Sequence, residues 1–243
     1  MLLQNHSLDE MQDFIRSFQI FSSEMDNARY NGFHTSFKDI HIVLSELTIL
    51  AKEEYRHTAP DYNIFTILGV EENEVRTHSA FLANLLNPRG SHGQGELFLR
   101  LFLKRINLEL SYDSFQKLGS EYQWHIETEK STTFGRLDIV ISCRKKGVLI
   151  VIENKIYAAD QEEQLQRYIN WMETVKTKYS PEKMKLIYLT PDGRKSYTAK
   201  SEDYIRMSYK KDIISLLQRS QEKVKASNVK EMVHQYIQII EKL

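Results

Sequence analysis

A single cysteine in 243 residues excludes a disulfide framework within the chain and any cysteine-based zinc site. That residue, Cys143, lies in an apolar, strand-like segment where a thiol behaves as a small buried hydrophobe. An excess of one charge is also lacking. With 33 Lys+Arg against 33 Asp+Glu, the chain as a whole does not attract polyanions at long range, so any nucleic-acid site must be a local basic patch. No uninterrupted apolar run approaches the roughly 20 residues of a membrane span, and the N-terminal MLLQNHSLDEMQDF lacks a basic segment followed by an apolar core. A cytoplasmic protein without membrane contact is the expectation. Internal repeats, low-complexity tracts and a convincing linker are absent too. What is present is an ordinary globular composition, 41% hydrophobic and 11% aromatic, which argues against disorder.

Apolar residues recur at three and four positions from Ser7 to about Glu54: Met11, Phe14, Ile15 and Phe18, then Ile40, Val43, Leu44, Leu47 and Leu50. This spacing predicts two amphipathic helices separated by the polar stretch around Asn31, Gly32 and His34, with their stripes serving as core. Residues 1–58 thus read as an N-terminal helical extension, and 59–243 as the main domain, the two forming one compact unit. After Pro60 the segment NIFTILGVEENEVRTHSAFLANLLNPRGSHG reads as a short apolar element, an acidic helix start and a helix ending before Asn87 and Pro88. A glycine-rich loop leads to a second apolar helix, LFLRLFLKRI, completing a helical hairpin.

The period changes to that of strands between Gln123 and Lys155. WHIETEKS alternates, and RLDIVISC and VLIVIENK are β-rich runs joined by a turn at Lys145, Lys146 and Gly147. A helix is expected from Asp160 to about Lys178, a buried strand at MKLIYLT, and helices around 213–217 and 229–240. Three strands, a helix, a strand and helices describe an α/β protein whose mixed central β-sheet is flanked by helices.

Charge inside a buried strand is costly unless it is paired or binds a metal. Three such residues stand close together: Asp138 in one strand of the hairpin, Glu153 and Lys155 in the next. Hairpin register decides whether they meet. A loop of two or four residues places Asp138 across from Glu153 and Arg136 across from Lys155. A three-residue loop with a bulge at Gly147 places Asp138 beside Asn154 instead, and Gly147 suits either. Two converging carboxylates with a neighbouring lysine suit a hard divalent cation such as Mg²⁺, which takes oxygen ligands and acidifies bound water. Lys155 could orient or deprotonate the attacking water, or stabilise the transition state as a cation. The combination points to phosphodiester hydrolysis.

Asp138, a gap of fourteen residues, and then Glu153-Asn154-Lys155 resemble the D…(D/E)-x-K signature of the PD-(D/E)XK nuclease superfamily, with Leu137 where the usual proline stands. Gln164 and Tyr168 in the following helix are similar to the Q-x-x-x-Y element of members related to the RecB nuclease domain, and a spacing of four puts both on one face. Upstream, Glu74, His78 and Ser79, the LLNP of residues 85–88 and the SHG of residues 91–93 resemble the N-terminal block of a group of largely uncharacterised bacterial members. The resemblance covers residues 62–190 and implies a restriction-endonuclease-like core. It also implies a nuclease acting on nucleic acid, with DNA the expected substrate, and Mg²⁺ as cofactor with Mn²⁺ as a substitute. Asp138, Glu153, the Asn154 carbonyl and Glu74 would hold the metal; Lys155 and Gln164 would assist catalysis; Arg136, Tyr168 and His78 would contact substrate.

Each assignment has a plainer counterpart. Asp138, Glu153 and Lys155 could form a structural ion cluster, although buried ion pairs are weak stabilisers. Glu74 could be an ordinary acid in a first helical turn, with Glu71 and Glu72 as competitors. Arg136 could merely neutralise the acids, and Tyr168 could be core. His78 and His92 raise the question of a zinc site, but with no cysteine nearby they read as structural or substrate-contacting. Arg144-Lys145-Lys146 reads as a solvated turn that could touch a nucleic-acid backbone. The alternative function is a silent or partner-activated nuclease-like module in a bacterial defence or toxin system, either as a homodimer or with a defence-system partner.

Overall fold

The computed structural model describes residues 5–108, 110, 123–157, 163–197, 199 and 203–243, with side chains from residue 10 onward. It divides into two units, Met1–Tyr62 and Asn63–Leu243. In the first, helix α1 runs unbroken from Asn5 to Thr58, where two helices are expected from the sequence. The segment contains no proline, and a single glycine in a helix interior costs only about 1 kcal/mol. Gly32 therefore weakens the helix without ending it. The stripe expected as core is exposed instead: Phe14 is 70% and Leu50 65% accessible.

The second unit is built on a five-stranded mixed sheet in the order β1 (His125–Thr132), β2 (Gly135–Cys143), β3 (Val148–Asn154), β4 (Met184–Thr190) and β5 (Ile205–Ser208). The first three strands are antiparallel, while β3, β4 and β5 are parallel. All seven residues of β3 are buried, as its continuous apolar run requires of a strand covered on both faces. On one face, Ile139, Ile141, Ile150 and Ile152 pack with residues of α3 (Ala80–Leu86), α4 (Leu97–Arg105), α6 (Ile214–Gln221) and α7 (Ser227–Glu241). On the other, Leu137, Val140, Leu149, Val151 and Leu186 pack against Leu165, Tyr168 and Met172 of α5 (Gln164–Val175). The short element before α3 is helix α2 (Ile64–Ile67).

These elements give the mixed sheet with flanking helices of a restriction-endonuclease-like α/β fold. The helix expected from Asp160 is observed as α5 followed by a 3₁₀ turn at Lys176–Lys178, and residues 160–162 lie outside the described residues. Strand β5 is the element the sequence does not announce. IRMS is four residues long, and one of its positions is the exposed Arg206, too short for an alternation to register. Cys143 is buried, as expected. Among the described residues no helix is long and apolar enough to cross a membrane.

The hairpin register resolves in favour of the even loop. Cys143 pairs with Val148 and Ile139 with Ile152, leaving the four residues Arg144–Gly147 in the turn. Gly147 closes it with φ at +68°, and its carbonyl accepts from the Ser180 backbone N–H at 2.9 Å. A Cβ at this position would meet the Ser180 side chain. Gly147→Ala should therefore cost roughly 1–3 kcal/mol of stability, read as a lower urea midpoint at unchanged slope; an unchanged midpoint would show that the turn tolerates a side chain.

Candidate active site

Extended by one step, the register that sets Ile139 across from Ile152 brings Asp138 to Glu153, and the two carboxyl groups interact. Both carboxylates thus project toward α5. Glu153 is 1% accessible, and its carboxylate is met by the side chains of Lys155, Asp138 and Tyr168. Burial, reinforced by the neighbouring Asp138 charge, pushes its pKa well above the ordinary carboxylate value, although Lys155 Nζ sits 3.1 Å from Oε1. Burial likewise raises Asp138, partly offset by the Asn154 backbone N–H donating to Oδ2 at 2.9 Å. For Lys155, burial works to lower the pKa, but Glu153, Glu74 and Asp138 together outweigh it and hold the ammonium protonated.

Glu74 enters from a π-helical turn, Glu74–Ser79, that leads into α3 and is capped by the Asn73 side chain accepting from the Arg76 N–H. Its Oε2 accepts from the Ile156 N–H at 2.7 Å, and its Oε1 lies 4.0 Å from Lys155 Nζ. The backbone carbonyl of Glu71 bonds the His78 ring at 2.7 Å.

Asn154 ties these parts together in a way the sequence does not predict. Its side chain points to the opposite face from Glu153, where Nδ2 donates to Ser79 Oγ at 2.9 Å and to the Glu74 carbonyl at 3.3 Å. Oδ1 accepts from the Tyr209 hydroxyl at 2.9 Å. Since the N–H and C=O of one strand residue point to the same side, the Asn154 carbonyl is directed toward Asp138, with its N–H. Tyr209 follows β5, and its segment is anchored by Asp212, whose Oδ1 accepts from Arg105 of α4 and Oδ2 from the Ser208 N–H. The edge strand missing from the sequence pattern therefore delivers a residue that holds Asn154.

On α5, the Tyr168 hydroxyl donates to the Arg136 carbonyl at 2.9 Å and lies beside Glu153; burial, reinforced by the Glu153 and Asp138 charges, drives its pKa far up. Gln164 is buried, with Oε1 unpartnered among the described residues. Arg136 pairs with Glu129 at 2.6 Å. Glu129 was not anticipated; it stands across from Asp138 by the register of β1 and β2, adopts φ +55°, and raises Asp138 electrostatically. The alternation of WHIETEKS puts Glu127 and Glu129 on one face, which is the signal that could have found it.

His78 requires a correction. It is fully buried, with Nδ1 against the Tyr236 hydroxyl at 3.0 Å and Nε2 against the Glu71 carbonyl, so no ring edge is left for a substrate. The carbonyl partner requires Nε2 to carry the proton, and burial lowers its pKa. Tyr168, 1% accessible, is likewise a wall of the cluster and not an exposed contact. His92 bonds the Asn87 carbonyl and the Gln94 N–H within its own loop, a structural role.

Two neighbouring buried carboxylates are destabilising unless protons or cations meet them. An all-oxygen set of Asp138, Glu153 and the Asn154 carbonyl fits a hard divalent cation. No three His, Cys, Asp or Glu side chains among the described residues converge as a complete cage. Such a set would rely on few protein ligands completed by water or substrate, as Mg²⁺ prefers.

A family model described as the PD-(D/E)XK nuclease superfamily matches residues 62–238. No curated protein and no solved structure matches the chain.

Replacing Asn154 with leucine, similar in shape, would leave Tyr209 Oη, Ser79 Oγ and the Glu74 carbonyl without their partner; a loss of roughly 2–4 kcal/mol is expected in urea denaturation. His78 binds fewer protons folded than unfolded, so its contribution to stability is complete above pH 6.5 and falls away as pH drops toward its lowered folded pKa. His78→Gln should flatten that acid-side decline in Tm, and an unchanged pH profile would exclude the buried neutral ring.

Proposed function

The chain belongs to the PD-(D/E)XK nuclease superfamily, whose model spans residues 62–238, and from that membership we propose that it hydrolyses phosphodiester bonds of nucleic acid, DNA foremost, with Mg²⁺ as cofactor. The observation that carries this reading is the buried Glu153 carboxylate with the Lys155 ammonium 3.1 Å from Oε1 and Asp138 beside it.

In the proposed site, Asp138, Glu153 and the Asn154 carbonyl hold the cation, with Glu74 positioned to complete the set. When bound, the divalent ion acidifies water and neutralises charge developing on phosphorus. Lys155, kept protonated by its carboxylate neighbours, orients the attacking water and stabilises the charge that grows on the phosphoryl oxygens. Its raised pKa favours these two roles over that of general base. Tyr168 and Gln164 hold Glu153 against the sheet, and Arg136 neutralises Glu129 at the edge. Asn154 fixes the angle between the Glu74 turn and β3. A partner-activated form of the same activity is favoured by one observation, the long exposed apolar stripe of α1. Purified protein that cuts only after a companion is added would select that form.

Incubation with labelled single- and double-stranded DNA and RNA in Mg²⁺, Mn²⁺ or EDTA tests the activity. Asp138→Ala and Lys155→Ala should each lower cleavage by at least about a hundredfold with unchanged circular dichroism; cleavage retained in both, or in EDTA, refutes the assignment. Saturating Mg²⁺ should raise the Tm of the wild type by a few degrees through linkage and leave Asp138→Ala unmoved; equal shifts in both would place the ion elsewhere.

A further inference from the structure

The chain carries no net charge, yet one groove beside the candidate site is strongly basic. It has a volume of about 640 Å³ and lies between strands β1 and β2 and the C-terminal half of α5. Four Lys/Arg side chains line it against a single carboxylate, Glu127. That carboxylate is already occupied, because Lys130 donates to it and His125 lies 3.7 Å away. Arg144 and Lys145 on the hairpin turn and Lys178 on the opposite bank are exposed, and none has an ion-pair partner among the described residues. Two aromatic rings, Trp171 and Tyr179, form the wall on the α5 side and are only partly buried.

The groove lies on the same face of the sheet as the candidate site, two residues along the strands from it. Glu127 pairs with Val140 across β1 and β2, so both share a face, and two residues further along that face stand Glu129 and Asp138. On α5, Trp171 lies less than one turn beyond Tyr168, which borders Glu153. From Asp138 to Arg144 the strand covers about 20 Å, longer than one nucleotide of an extended single strand.

Cations on both banks with accessible rings between them are the elements of a single-strand track: phosphates take the cations, and an unpaired base stacks on an aromatic face. A paired base in a duplex cannot offer its face to a wall residue. We infer that this groove seats a single-stranded segment of the substrate flanking the scissile bond, with backbone phosphates on Arg144, Lys145 and Lys178 and a base stacked on Trp171. This assignment rests on the nuclease reading above and adds to it the strandedness of the substrate and its path.

Fluorescence anisotropy tests it, using the full chain carrying Asp138→Asn, a labelled 20-nucleotide oligo(dT) and a 20-base-pair duplex, across a salt series with Mg²⁺. Trp171→Ala should weaken oligo(dT) binding roughly tenfold, and Trp171→Phe should restore most of it. The exposed double variant Arg144→Glu/Lys145→Glu, which carries no folding risk from lost packing, should weaken binding and reduce the slope of log K against log salt by about 1.4. The double variant Lys230→Glu/Lys242→Glu, at exposed positions on α7 and at its end, makes the same change in net charge and should have little effect. Binding indifferent to both the tryptophan and the paired cations overturns the groove. So does absence of oligo(dT) binding at low salt, or a duplex bound as tightly with the same sensitivities. Cleavage by the unmodified chain is scored in parallel. Cutting with groove-independent binding removes the groove alone; groove-dependent binding without cutting under any metal, with or without added cell extract as a source of a companion, removes the nuclease reading and leaves a single-strand binding site.

Discussion

The register of one hairpin governs the chemistry of this protein. With Cys143 across from Val148, Asp138 falls opposite Glu153, and a slip by a single residue would send the two carboxylates to opposite faces of the sheet. The turn that sets this register is four residues closed by Gly147 in the left-handed conformation. Burial drives both carboxyls upward in pKa, and the Asp138 charge adds to the rise of Glu153. The surrounding structure holds them there: β3 is covered on both faces, Tyr168 presses from α5, and Lys155 supplies the nearest compensating charge.

Two layers contribute to the cluster from opposite sides of the sheet. Toward α5 lie the charged groups, Asp138, Glu153 and Glu129. Toward α3 and α7 lies a neutral polar network in which Asn154 bonds Ser79, the Glu74 carbonyl and Tyr209, and His78 bonds Tyr236 and the Glu71 carbonyl. The strand end is thereby clamped to the turn that carries Glu74. Such a clamp keeps a carboxylate from a distant element within reach of Lys155 without a covalent or metal link, because each buried polar atom in it would be costly to leave unpaired.

The unit Met1–Tyr62 has a different character. Its single helix exposes aromatic and aliphatic side chains along its length, and a helix of that composition gains its stability from burying such a face. The two-helix reading of this segment failed because a polar stretch with one glycine lowers helix propensity without supplying a stop such as proline.

Periodicity and motif spacing alone determined the α/β class, four of the five strands, the Asp138, Glu153 and Lys155 triplet, and the place of Gln164 and Tyr168 on one helix face, because each depends on local geometry that repeats every 2 or 3.6 residues. Tertiary structure decided what depends on contacts between distant segments: the hairpin register, the approach of Glu74 to Lys155, the burial of His78 and the pairing of Arg136 with Glu129. Strand β5 and Tyr209 belong to this second group. A four-residue edge strand has no periodic signature, and it is recognised as a strand only by the neighbour it bonds.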